Sequence, residues 1–184
     1  MNVRFAMILL SSLALVACGG DDDGDDGSSG TNQTTGSSST SSSTDDHAVD
    51  DHVCEHLEEG PFEDITATET ATGAPELAET HVAYKITLPD NGVGGFQGVV
   101  TYRVAQAADL AFIATADIAV TVQDGAGDLL SAEDTCRGSS CSETCSLMQS
   151  KQVFPMDGAI YTLTIGPTSM DSVIILVEEA AHEH

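Results

Sequence analysis

The sequence predicts an all-β body, an antiparallel β-sandwich of about seven or eight strands, standing behind a disordered N-terminal tether. Three observations carry this expectation. Apolar residues alternate with polar ones at period two, as in Val82, Tyr84, Ile86 and Leu88 and again in Val100, Tyr102 and Val104, the pattern of strands with one face in a core. Turn chemistry recurs between such stretches, in Asp90-Asn91-Gly92, Asp124-Gly125, Gly127-Asp128, Asp157-Gly158 and Gly166-Pro167. No long amphipathic helical pattern intervenes, which fits two packed sheets rather than a mixed fold.

Taken in chain order, residues 1–17 open with Arg4 and continue in an apolar run from Phe5 to Ala17. This is the layout of a secretory signal, too short to span a bilayer as a helix. Its end, Leu15-Val16-Ala17-Cys18, resembles the lipobox of bacterial lipoproteins. The resemblance implies that Cys18 is diacylated and becomes the first residue of the mature chain, held in the cell envelope by its acyl chains. The outer membrane is the expected location, and the membrane is then a partner through covalent lipid alone.

Residues 19–46 are built almost wholly from Gly, Ser, Thr and Asp and contain no large apolar side chain. With nothing to bury, such a segment cannot offset the entropy of ordering. The sequence thus assigns residues 18–46 to a lipidated Cys and a flexible tether, with an r.m.s. span of roughly 30 Å. The acidic run from Asp21 to Asp26 does not form a calcium loop, because glycine is not at the sixth place and Asn32 stands where the bidentate acid belongs.

Residues 47–184 remain for one domain. Strands are expected over 82–88, 100–104, 110–116, 118–123, 152–154, 160–165 and 173–177. Two passages, Ala119-Val-Thr-Val-Gln-Asp-Gly-Ala-Gly-Asp-Leu-Leu130 and Phe154-Pro-Met-Asp-Gly-Ala-Ile-Tyr-Thr-Leu-Thr-Ile165, resemble the bacterial pre-peptidase C-terminal type of β-sandwich. There a strand turns on an Asp-x-x-Gly loop and a later strand opens with Gly-x-Tyr. The resemblance spans about residues 80–178 and implies a jelly-roll accessory module without catalytic residues of its own. The cysteine-bearing stretch 136–145 and the lack of an attached peptidase depart from that family. Tyr84, Tyr102 and Tyr161 each fall within an alternating strand and are expected in the core.

Charge excludes whole classes of function. Thirty acidic residues oppose five Lys and Arg, a formal charge of −25. After Arg4 only Lys85, Arg103, Arg137 and Lys151 remain, too few to build a phosphate-binding or anionic-lipid-binding patch. No nucleic-acid partner is expected, and no protein partner can be named. No nucleophile elbow is present either, since Gly138-Ser-Ser-Cys-Ser142 lacks the closing glycine.

Cys54, Cys136, Cys141 and Cys145 are an even set in an exported chain, with three pairings open. Two disulfides are expected, and at least one of the clustered trio must reach Cys54 if all four pair.

The six histidines are confined to two regions: His47, His52, His56 and His81 precede the strands, and His182 and His184 follow them. Between Asp50 and Glu59 a short helical turn sets His52 and His56 on one face at i, i+4, with Glu55 alongside. An extended C-terminal end sets His182 and His184 on one face at i, i+2. Neutral imidazole is a ligand for zinc and copper, and neighbouring carboxylates raise its basicity and attract cations. The leading expectation is therefore a non-enzymatic, lipid-anchored envelope protein that binds zinc or copper through His52, His56, His182 and His184, with Glu55 and His81 as extra ligands. The competing expectation is a metal-free structural or protein-binding module. A third, zinc hydrolysis, rests on His52-Val-Cys-Glu-His56, which matches the H-x-x-E-H order of inverted zinc peptidases. Those enzymes place it on a long buried helix of a larger α+β body, unlike the edge of a β domain.

Overall fold

Two sheets face each other across a common apolar core in the computed structural model, which describes residues 45–180, with side chains from Asp50 onward. The expected signal, Cys18 and nearly all of the tether lie outside the described residues, as do His182 and His184.

The described chain starts with one helix, α1 (Asp45–Glu59), then runs through β1 (Phe62–Thr66), β2 (Glu76–Leu77), β3 (Ala83–Thr87), β4 (Phe96–Arg103), β5 (Ala108–Ala114) and β6 (Val120–Gln123). It continues through β7 (Asp134–Arg137), a 3-10 turn (Gly138–Ser140), β8 (Ser150–Met156), β9 (Ile160–Thr168) and β10 (Ser172–Glu179). The larger sheet has the order β1-β3-β10-β5-β8-β7 and the smaller β2-β4-β9-β6. Strands β3 to β6 alternate between the sheets, and β8 to β10 do so again, the crossing pattern of a jelly roll.

All seven expected strands are present, as β3, β4, β5, β6, β8, β9 and β10. Three more, β1, β2 and β7, stand at sheet edges. They escape a reading based on alternation because β1 and β7 are mostly exposed and β2 has only two residues. Such edges are made by backbone pairing rather than by a buried side-chain row. Two of them also change the strand sense. β1 pairs parallel with β3, and β2 parallel with β4, so the sandwich is antiparallel except at one edge of each sheet. The parallel pairing of β1 with β3 needs a crossover, and the chain between them supplies it, giving β2 to the opposite sheet on the way.

The core between the sheets takes Tyr84 and Ile86 of β3, Phe112 of β5, Phe154 of β8 and Ile175 of β10 from one side, and Val100, Val122, Leu163 and Ile165 from the other. All three tyrosines are buried, as expected. Tyr102 meets Phe112 edge to face at 5.9 Å, and Phe112 meets Phe154 in the same manner at 5.9 Å, the offset geometry that aromatic quadrupoles favour.

A second apolar layer covers the outer face of the larger sheet. Val53 and Leu57 of α1 pack there with Ala111, Ile113 and Leu176, together with Cys145 and Met148 from the β7–β8 connection. This explains why β5 and β10 read as unbroken apolar runs, Leu110 to Ala114 and Val173 to Val177. Strands buried on both faces lose the alternation of half-buried ones. The helix is fastened by the Cys54–Cys145 disulfide, and Cys136 pairs with Cys141. Both expected disulfides are thus present, with Cys54 joined to one of the clustered trio.

Candidate metal centre

At one end of this outer layer three imidazoles and a carboxylate converge. His52, His56, His81 and Glu178 each direct one ligand atom to a common point, and these atoms lie within 4.8 Å of one another. They arrive from three parts of the chain. Two come from α1, one from the turn before β3, and one from the end of β10.

Local rules place each of them. The i, i+4 spacing stacks His52 over His56 along one helix face, with ring centroids 4.5 Å apart and Nε2 atoms 3.2 Å apart. The helix stops just after them because Gly60 takes a left-handed φ of 85° and its N–H donates back to the His56 carbonyl at 3.1 Å, the glycine cap of a helix C-terminus. A side chain at Gly60 would strike Phe62 N at 2.7 Å. This cap also aims a ligand. The Gly60 carbonyl, which can only accept, lies 3.2 Å from His56 Nδ1, so Nδ1 carries the proton and Nε2 presents its lone pair to the cluster. Fixing a tautomer through the far ring nitrogen is the usual outer support of a metal-binding histidine.

His81 and Glu178 are set by sheet register. The antiparallel ladder that pairs Leu176 with Ala83 continues to place Glu178 opposite His81, and the His81 N–H donates to the Val177 carbonyl at 3.0 Å. Across that position His81 Nδ1 meets Glu178 Oε2 at 2.6 Å. His81 holds φ at 60°, the one described non-glycine residue with a positive φ. Backbone strain of this kind persists where surrounding structure enforces it, often at functional sites.

Glu178 is the most constrained member. Its side chain is 9 % exposed against 53 % for His81, and its Oε1 is buried without a hydrogen-bond partner. Burial pushes its pKa up, while His56 and His52 pull it down. A buried carboxylate oxygen with no partner costs free energy, and a cation at the point where the imidazoles meet would supply the missing charge. Zinc–nitrogen bonds near 2.0 Å in a tetrahedron set ligand atoms about 3.3 Å apart, close to the 3.2 Å between the two Nε2 atoms. The group can hold a metal ion, and its three-nitrogen, one-oxygen donor set is of the kind that zinc and copper accept.

Three of the sequence-derived ligands, His52, His56 and His81, are therefore together. Glu55 is exposed and not part of the group, because it falls on the solvent side of His52, opposite Val53 and Leu57, which pack α1 on the sheet where His81 and Glu178 stand. Sequence reasoning missed Glu178. The available signal was period two along β10, where Ile174, Leu176 and Glu178 face α1 while Val173, Ile175 and Val177 face the core. Comparison with protein-family models and with curated proteins finds no match.

Proposed function

We propose that this protein is a non-enzymatic, lipid-anchored component of the cell envelope that binds a divalent transition metal, zinc or copper, through His52, His56, His81 and Glu178. The observation that carries the reading is the convergence of three imidazoles and a buried, half-unpartnered carboxylate from three separate chain segments. Surface acids gather easily in a chain of this charge, whereas three histidines meeting a buried glutamate do not arise from composition. Four protein donors favour retention over hydrolysis, since catalytic zinc sites keep a position open for water. The glutamate of the H-x-x-E-H order, Glu55, also stands outside the group, away from the place a general base would need. Solvent reaches the cluster beside His52 and His81, both exposed, which gives an ion a path in and out and fits reversible binding.

Calorimetric titration of the full chain with zinc and with copper tests this. One ion per chain is expected to bind with a sub-micromolar dissociation constant, and the variant with His52, His56 and His81 changed to Ala is expected to bind none. Binding that survives those substitutions would end the proposal.

The anchor rests on Leu15-Val16-Ala17-Cys18 and draws support from the two disulfides, which belong in an oxidising, exported setting. Among the described residues no helix is long and apolar enough to cross a membrane. Changing Cys18 to Ser is expected to move the protein from the membrane fraction of a bacterial expression host to the soluble fraction. An unchanged distribution on fractionation would remove Cys18 as the attachment point.

A further inference from the structure

A cavity of about 630 Å³ opens at the end of the sandwich where β10 finishes, lined by β4 of one sheet and by β5 and β10 of the other. Val104 and Leu110 give it apolar walls, and Glu79, Glu179 and Arg103 line it as well. Arg103 is already engaged. Its Nε and Nη2 donate to the two carboxylate oxygens of Glu76 at 3.0 and 2.9 Å, so its charge is met outside the cavity. No salt bridge engages Glu79 or Glu179 among the described residues, and the lining is left net negative.

The tyrosines mark this cavity out. The Tyr84 hydroxyl accepts from the N–H groups of Ala78 and Glu79 and donates to the Glu79 carbonyl. The Tyr161 hydroxyl accepts from the Asp157 N–H and donates to the Asp157 carbonyl. Tyr102 is 4 % exposed and lines the cavity, and unlike the Tyr84 hydroxyl its own takes no hydrogen bond from the described residues. Burial, reinforced by Tyr84, Glu179 and Glu178, pushes its pKa up to about 12, which keeps the hydroxyl neutral. The hydroxyl is not sealed in, since among the described residues the fully buried side-chain polar atom without a partner is Glu178 Oε1; Tyr102 is buried along its ring and its hydroxyl is left open beside the cavity's apolar walls and unpaired acids.

We propose that the cavity is a binding site for a small alkylammonium ion. Its chain lies against Val104 and Leu110, its ammonium group sits between Glu79 and Glu179, and the Tyr102 hydroxyl accepts one of its protons. Apolar walls with a few placed polar groups are the usual make-up of a small-molecule site. The site is separate from the metal cluster and does not depend on it, since Glu179 and Glu178 point to opposite faces of β10.

The test is an NMR titration of the metal-free full chain with butane-1,4-diamine, followed at the backbone amides of residues 105–108. Saturable shifts there are expected, with a dissociation constant below about 1 mM, and butane-1,4-diol is expected to cause none. Tyr102→Phe keeps the ring against Phe112 and removes only the hydroxyl, so its well-dispersed spectrum should accompany binding weakened about fivefold or more. Glu179→Gln, at an exposed position, is expected to weaken it as well. Shifts scattered over the acidic surface without saturation, or an affinity that Tyr102→Phe leaves unchanged, would overturn the proposal and mark the cavity as merely hydrated.

Discussion

Replacing Glu178 by Gln is expected to move metal affinity and metal-free stability in opposite directions. Mutating groups that merely orient a metal ligand costs 10- to 100-fold in affinity, so losing a direct ligand should cost about 100-fold or more. Without metal, the wild-type protein holds a buried carboxylate whose Oε1 has no partner, and a neutral amide of the same shape is cheaper to bury. The variant should therefore unfold at a higher temperature than wild type in the presence of a chelator, by about 1 kcal/mol of stability. Zinc at about 100 times its dissociation constant should stabilise wild type by about 2.7 kcal/mol, and the variant by little. The pH dependence has a definite sign. Burial raises the Glu178 pKa, so what its neutral form contributes is fully present below the ordinary carboxylate range and is lost as pH rises through the raised value. The advantage of Glu178→Gln should accordingly appear towards neutral pH and vanish in acid. Thermal unfolding with and without zinc reads every part of this, and a variant less stable than wild type in both conditions would make Glu178 a structural residue instead.

Removing the Cys54–Cys145 disulfide is expected to have the largest effect on stability. It closes a loop with a sequence separation of 91, and in the chain-entropy account a loop of that length contributes about 4–5 kcal/mol. The Cys136–Cys141 bridge, with a separation of 5, should contribute about 2 kcal/mol by the same relation. The two differ further in what they hold. Cys54 lies on α1 between His52 and His56, and the other ties of that helix to the body include Val53 and Leu57 in the outer layer and a hydrogen bond from Ser142 Oγ to Asp50 Oδ2 at 2.5 Å. Changing both Cys54 and Cys145 to Ala should thus weaken zinc binding at least about tenfold, since two ligands then ride on a helix that must be ordered when the ion binds. Changing Cys136 and Cys141 should leave zinc binding within about twofold. Urea unfolding and calorimetry on both double variants separate these expectations. Equal zinc affinity in both would mean that packing alone positions α1.

Residue pattern determined much of this protein. Period-two rows such as Val82 to Leu88 and the turn sequences between them carried the seven main strands, because a half-buried strand writes its burial directly into alternation. The i, i+4 spacing of His52 and His56 and the parity of the cysteines likewise placed two ligands on one helix face and foretold two disulfides. Edge strands β1, β2 and β7 were not legible, since backbone pairing leaves no apolar row behind. The meeting of α1 with His81 and Glu178 was decided only in three dimensions. It depends on which sheet face the helix covers, on the β3–β10 register that sets Glu178 opposite His81, and on which of three partners Cys54 takes. A metal site needs donors a few ångströms apart, and between residues about 100 positions apart that proximity comes from long-range packing and pairing, which local sequence spacing does not encode.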